Sequence, residues 1–306
     1  GIHGAVEHVI VDPFVEFLPD ESFSGCKFLV EVQIPSKVFY GIGDRAFYGC
    51  TSLTAVKMLP KSPTMTSIGE SVFQHCTSLK GIVIPESITS IGRACFLGCT
   101  ALVQVQLYKG SSTVGDEPEE EEKKATSKKK NKKGGLTKIS DELFRFCENL
   151  TSITIPLQVE SIGTMAFSGC SSLTKLDIPN SCMEIKTSAF RHCRSLEYIK
   201  LPKSMTIIHD STFEGCESLV NIELPGGIRK IGDRAFQNCQ SLACVLIPKP
   251  VKSIGAHAFQ GCHSMKTVWF MVDSIGKIDI PDSVFVDCPA LECVDLAKVA
   301  SRTTIS

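Results

Sequence analysis

The chain has 306 residues, of which 43% are hydrophobic, and its formal net charge at pH 7 is −1. This composition is sufficient for a buried core, and the near-zero charge excludes a general electrostatic attraction to nucleic acid or anionic membranes. No apolar run approaches the ~18 residues that a membrane-spanning helix requires. The first residues include neither an initiator Met nor a secretory signal, so we expect a processed chain or a fragment.

The first predicted element is a strand near the N-terminus, in which Val6, Val9 and Val11 form the apolar pattern of the repeats that follow. A Phe-x-x-Cys motif then recurs eleven times, from Phe23/Cys26 to Phe285/Cys288. Between Cys147 and Cys262 the motif advances by 23 residues five times in succession. A constant period of this length indicates a repeat protein.

Each repeat predicts one strand and one turn. Large apolar residues stand three, six and eight residues after each Cys, and Pro often follows the last, as in Ile84-Pro85. The last two alternate with one outward position, which is the period of a half-buried strand, and Pro ends the strand because it has no N–H to donate. Segments such as Ser-Ile-Gly predict a short extended stretch on the side of the coil opposite to the strand. Segments such as Ala-Phe-x-Gly-Cys predict a turn that inserts Phe and Cys into the core.

A single 23-residue unit cannot bury its own apolar face. We therefore expect neighbouring units to stack about 4.8 Å apart as parallel strands over a continuous core. The predicted fold is a solenoid, mainly β, that forms one curved array over residues 1–306 with about twelve repeats.

An insertion interrupts the period between Cys99 and Cys147, which are 48 residues apart. Residues 110–135 have almost no large apolar side chains, and an acidic block (116–122) precedes a basic block (123–133). Because burial cannot offset the entropy of ordering such a stretch, we predict a disordered charged loop. Its run from Lys128 to Lys133 leaves two interpretations, a targeting or polyanion-binding signal and a solvated charge run. We favour the second.

The chain contains fifteen cysteines, of which eleven share one repeat position. Free Cys packs as a small apolar residue, so we predict reduced, buried thiols. Among the others, Cys244 and Cys293 share one offset two repeats apart, about 10 Å by strand spacing, which is too far for a disulfide. The chain lacks a Cys-x-x-Cys pair, a catalytic constellation and a Gly-rich phosphate loop. We predict no enzymatic activity, no cofactor and no metal site.

Two repeat segments, SIGTMAFSGCSSLTKLDIP (161–179) and KIGDRAFQNCQSLACVLIP (230–248), resemble the leucine-rich repeats of BspA-like surface antigens. The resemblance extends over nearly the whole chain. It implies a leucine-rich-repeat solenoid that serves as an adhesion or recognition scaffold, and it implies no catalytic residues.

Side chains five and seven residues after each Cys point outward from the strands, on the face that such solenoids use for binding. Toward the C-terminus these positions become apolar, and an exposed aromatic residue is a typical interface anchor. We predict a contact surface that comprises Tyr198, Leu246 and Trp269, with a charged rim of Asp177, Lys200 and Glu223. The alternative is that Trp269, the only Trp, is repacked into the core together with Phe270.

The predicted function is recognition of a protein, or secondarily of a glycan, through this face. The alternative is a structural or surface spacer without a dedicated binding patch. We expect a monomer with no specific nucleic-acid partner and no membrane span. Free cysteines and the absence of a visible signal favour the cytoplasm, whereas the resemblance favours the cell surface. The identity of the partner does not follow from the sequence.

Overall fold

The computed structural model describes residues 5–35, 40–58, 64–107, 135–271 and 278–296. Over these ranges the chain winds into a parallel-strand β-solenoid of about eleven turns, and a 3-10 helix, Asp282–Phe285, lies near its C-terminal end. The predicted fold class is confirmed.

Each turn contributes short strands to two rows. The first row, here called the strand-bearing face, contains β1 (His8–Ile10), β3 (Glu31–Gln33), β5 (Ala55–Lys57), β7 (Gly81–Ile84), β9 (Gln104–Leu107), β11 (Ser152–Ile153), β13 (Lys175–Asp177), β15 (Tyr198–Lys200), β18 (Cys244–Ile247), β20 (Thr267–Phe270) and β21 (Cys293–Leu296). The second row contains two-residue strands, β2 (Phe17–Leu18), β4 (Gly41–Ile42), β6 (Ser67–Ile68), β8 (Ser90–Ile91), β10 (Lys138–Ile139), β12 (Ser161–Ile162), β14 (Glu184–Ile185), β16 (Ile207–Ile208), β17 (Lys230–Ile231) and β19 (Ser253–Ile254).

Successive strands pair in parallel with equivalent repeat positions in register, as Val9 with Val32 and Val32 with Val56. Among the described residues the strand-bearing face is divided into four sheets, β1-β3-β5, β7-β9-β11, β13-β15 and β18-β20-β21. Residues 220–224, at the repeat position between β15 and β18, are not part of a strand. The twelve expected strands therefore correspond to eleven strands and this one segment.

A column of phenylalanine rings forms the centre of the core. The eleven repeat phenylalanines, from Phe23 to Phe285, stack with nearly parallel planes, and the centroids of successive rings are 5.2–5.7 Å apart. The rings from Phe47 to Phe259 are fully buried. Each buried aromatic ring removes a large apolar area from water, so the column contributes strongly to the stability of the stack.

The repeat cysteines form a second column beside the rings. From Cys50 to Cys288, each thiol lies 3.0–3.3 Å from the backbone carbonyl oxygen of the Phe in the preceding turn and donates a hydrogen bond to it. The carbonyl oxygen of Phe167, which accepts from the thiol of the next turn, also accepts a hydrogen bond from the backbone N–H of Cys170 in its own turn, at 3.1 Å. Cysteine suits this position because it is small and apolar and yet donates a hydrogen bond.

The predicted insertion does not interrupt the stack. Its residues 110–134 lie outside the described residues, but the turns before and after it are in direct contact. Strand β9 pairs with β11, the N–H of Phe96 donates to the carbonyl of Leu143 at 3.0 Å, and Arg93 forms an ion pair with Glu142. The solenoid therefore continues from one side of the insertion to the other in regular register.

Candidate functional site

Leu246 and Trp269 form an exposed apolar pair on the strand-bearing face. They are in register on β18 and β20, and their side chains are 44% and 37% exposed. Residues on either side of Trp269, Val268 and Phe270, are buried, because successive strand residues point to opposite faces. Phe270, not Trp269, fills the core position of this strand.

A second group of predicted contact residues lies on β13 and β15. Tyr198, which is 52% exposed, is in register with Lys175, and Asp177 is in register with Lys200. Glu223 is also exposed, on the segment 220–224 between this group and Leu246. The six predicted residues thus share one face, but the structure divides them into an apolar pair and a polar group.

A groove of about 1050 Å³ lies on the strand-bearing face between β9 and β15. Its exposed polar lining comprises Gln104, Gln106, Ser152, Thr154, Lys175, Asp177 and Lys200 on the strand-bearing face, and Asn180 beyond it. Asp177 and Lys200, which we predicted as the rim of the C-terminal surface, line this groove. The predicted surface did not include the amide and hydroxyl side chains. The outward offsets of Gln104, Gln106, Ser152 and Thr154, five and seven residues after the repeat Cys, are the signal that identifies these four in the sequence.

In the described structure, no two of the fifteen cysteines are joined by a disulfide. Burial raises the pKa of the repeat thiol Cys50 and of Cys95, which stands outside the repeat position, to about 12, and it also raises the pKa of buried repeat thiols such as Cys193. Because the thiolate is the nucleophile and the metal ligand, the chemistry of these side chains is packing rather than reaction.

Two thiols lie at outward positions of the strand-bearing face. Cys244, partly exposed, and Cys293, exposed, are in register with Thr267 from opposite sides. They are therefore two strands apart, as their offsets predicted.

Neither metal ligands nor membrane-spanning helices are found in the described parts of the chain. No three His, Cys, Asp or Glu side chains within those ranges are grouped closely enough to hold a metal ion. Within the same ranges, no helix has the length and apolar character needed to cross a bilayer. The strand-bearing face instead presents hydrogen-bonding and apolar side chains, an arrangement suited to binding.

The repeat pattern matches a family model described as a BspA type leucine rich repeat region, in six copies, over residues 7–118 and 137–266. The chain belongs to the BspA-type leucine-rich repeat family. Membership in this family and the observed fold are compatible with a protein-interaction or adhesion role, and BspA-type repeats are typically non-enzymatic. A search of curated proteins gave no match.

Bacterial leucine-rich repeat proteins of known structure have a similar fold. A leucine rich cell surface protein from Faecalibacterium prausnitzii A2-165 is 23% identical, with a TM-score of 0.55 over 97% of this chain and 89% of that chain. The pneumococcal vaccine antigen PcpA is 15% identical, with a TM-score of 0.58 over 96% of this chain and 74% of that one. A leucine-rich repeat protein from Eubacterium ventriosum ATCC 27560 is 18% identical, with a TM-score of 0.50 over 97% and 86%, respectively. At these identities the similarity concerns the fold.

Proposed function

We propose that this BspA-type repeat protein is a recognition module that binds a protein partner through Leu246 and Trp269. The observation that carries the proposal is the in-register placement of these two large apolar side chains, 44% and 37% exposed, on one face. A Trp with an adjacent aliphatic side chain is the kind of anchor that supplies most of the binding energy in protein interfaces. Tyr198 would extend the contact. Charged side chains farther along the face, Asp177, Lys200 and Glu223, would orient the partner rather than add much affinity.

The competing function is a spacer, in which the array separates other parts of a larger assembly and no patch is used. A spacer has no requirement for exposed apolar anchors, since exposed apolar area promotes association. The Leu246–Trp269 pair therefore favours recognition.

We also propose a cell-surface location and a monomeric state. The similar protein from F. prausnitzii is described as a cell surface protein and PcpA as a vaccine antigen, and these descriptions support the surface alternative. They give no support to the cytoplasmic expectation that we based on the free cysteines. Sedimentation of the purified chain would test the monomeric state.

The decisive experiment compares Trp269→Ala with the wild type in both binding and unfolding. A partner is first captured from cognate extract and purified, and its dissociation constant is then measured for each variant. We expect Trp269→Ala to lose at least about 2 kcal/mol of binding and less than about 1 kcal/mol of stability, because the ring is partly solvated. Gln33→Ala, at an equivalent exposed position on β3, is the control and should leave both unchanged. Unchanged affinity in Trp269→Ala would refute the proposal.

A further inference from the structure

The groove between β9 and β15 has a buried apolar floor and polar walls. Val105, Ile153 and Leu176 are almost fully buried beneath it, at equivalent positions of three successive turns. Strand β11 ends at Ile153, and β11 and β13 belong to different sheets in the described structure. Thr154 therefore lies where strand pairing has ended, and the groove occupies the break between two sheets.

One wall of the groove consists of neutral hydrogen-bonding side chains. Gln104 and Ser152 are in register on β9 and β11, and Gln106 and Thr154 are exposed two residues further along each chain segment. Amide and hydroxyl side chains each both donate and accept hydrogen bonds. Four such groups side by side match a ligand whose own groups also donate and accept, which is the property of a sugar hydroxyl.

The opposite wall adds charged hydrogen-bonding groups, and an exposed tyrosine lies beside it. Asp177, an acceptor, is in register with Lys200, a donor, so this wall also offers both kinds of hydrogen bond. Tyr198 does not line the groove, but it is 52% exposed and in register with Lys175, which does. A tyrosine ring offers an apolar face and a polar hydroxyl, which suits the C–H face and the hydroxyls of a sugar ring.

The groove differs in composition from a protein-binding hot spot. The cores of protein interfaces are enriched in aromatic residues, Met and Arg and depleted in Lys, Asp and Ser. The polar lining of the groove has the opposite character, and Leu157, 69% exposed, is the large apolar side chain at its margin. With two lysines and one aspartate, its charge is also too small to favour a polyanion.

We infer that this groove is a second binding site on the strand-bearing face and that its ligand is an oligosaccharide. The inference rests on the proposed function in that it assigns a second ligand class to the same face. The Leu246–Trp269 pair binds protein, and the groove binds sugar hydroxyls through Gln104, Gln106, Ser152, Thr154 and Asp177. The Leu246–Trp269 pair and the wall of Gln104, Gln106, Ser152 and Thr154 can be tested separately because their strands belong to different sheets, whereas Asp177 and Lys200 lie between them and are shared by both sites.

To test this inference, the full chain is titrated with soluble hexasaccharides of glucan, galactan, mannan and chitin, and the dissociation constants are measured by calorimetry. We expect at least one to bind with a dissociation constant below about 1 mM. The double variant Gln106→Ala/Thr154→Ala should weaken that binding by roughly tenfold or more, because two hydrogen bonds are lost. Gln33→Ala, which removes the equivalent side chain of Gln106 outside the groove, should bind as the wild type does. Melting curves of all variants verify that they are folded.

Measuring both oligosaccharide binding and protein binding in Trp269→Ala distinguishes failure of this inference from failure of the proposed function. We expect it to retain oligosaccharide binding whether or not it loses the protein partner. Failure of every hexasaccharide to bind would overturn the inference, and so would binding that the double variant leaves unchanged. It would also be overturned if the double variant weakened only the protein partner, because the groove would then belong to the protein interface.

Discussion

The imidazole of His192 lies directly over Gly215 of the next turn, since a Cβ atom placed on Gly215 would come within 2.3 Å of Nδ1 of His192. Both residues precede a repeat Cys, and both have left-handed backbones, with φ of 58° and 72°. A non-glycine residue with positive φ is uncommon. The turn thus places a side chain from one repeat in the space that the glycine of the following repeat leaves open.

This relationship recurs along the array. Residues with side chains alternate with glycines at the same left-handed position, and the pairs are His75 over Gly98, Phe146 over Gly169, His192 over Gly215 and Asn238 over Gly261. The alternation has a steric cause, since two successive turns cannot both carry a side chain directed to the same place. The first two repeats have glycine in succession, Gly25 and Gly49, and the space around each is open.

Replacing Gly215 by Ala should destabilise the fold more than replacing Gly49. Both substitutions force Ala into a left-handed backbone, at a cost of roughly 1–2 kcal/mol, but only the Cβ at position 215 meets a neighbour, His192. Urea unfolding of the two variants measures the difference. In a double-mutant cycle, His192→Ala should remove the additional cost at Gly215. Equal destabilisation at the two glycines would contradict the steric account.

Removing a repeat thiol should destabilise the core. Cys193→Ala eliminates the hydrogen bond to the carbonyl of Phe167, 3.1 Å long, and leaves a small cavity, so we expect a loss of roughly 1–3 kcal/mol. Cys293→Ala is the matched control because this thiol is exposed, and its effect should be within about 0.5 kcal/mol. The free energies of unfolding of both variants decide the matter. A loss at Cys293 as large as that at Cys193 would argue against the role of the thiol column.

Alkaline conditions should weaken the fold through its buried thiols. Their ordinary pKa is 9.0, and burial raises the pKa of Cys50 and Cys95 to about 12 in the folded chain. Above pH 9 the unfolded chain therefore loses protons that the folded chain keeps. This thiol contribution is fully present below pH 9 and decreases as the pH rises toward 12, by up to about 1.4 kcal/mol per pH unit for each thiol.

The measurement is the urea concentration at the midpoint of unfolding, determined at several pH values from about 8 to about 10. Cys95→Ala, which removes one buried thiol, should show a smaller decrease over this interval. Identical slopes for the variant and the wild type would be inconsistent with thiol deprotonation as the cause.

Deleting the insertion should leave the stability of the solenoid nearly unchanged. Leu107 and Leu136 occupy the repeat positions of Ile178 and Cys182, which are joined by Pro179, Asn180 and Ser181. Replacing residues 108–135 with Pro-Asn-Ser restores the 23-residue period and retains the pairing of β9 with β11. The closure cost of a loop changes slowly with its length, so we expect a shift of about 1 kcal/mol or less. A large decrease in melting temperature would show that the insertion stabilises the array.

The repeat period and the offsets of apolar residues were sufficient to predict the core and eleven of the twelve strands of the strand-bearing face. The exceptions are the segment 220–224, which is not a strand, and Val294, which stands at a core offset near the C-terminal end but is 50% exposed. Val32, Leu173 and Phe190 are buried at the positions that the offsets predicted, and Trp269 is exposed. These properties follow from local alternation along a strand, where neighbouring side chains point to opposite faces, and a local property is readable from one repeat.

Only the tertiary structure decided where the strand-bearing face breaks into separate sheets and where the groove forms. The sequence positions of Gln106 and Thr154 were visible, but their joint placement at the end of β11 depends on how successive turns pair. The contact of His192 with Gly215 is likewise a relationship between turns, and its two residues are 23 positions apart in the chain. Hydrogen-bond pairing and steric contact between turns are set by the stacking of the whole array, so no single repeat contains them.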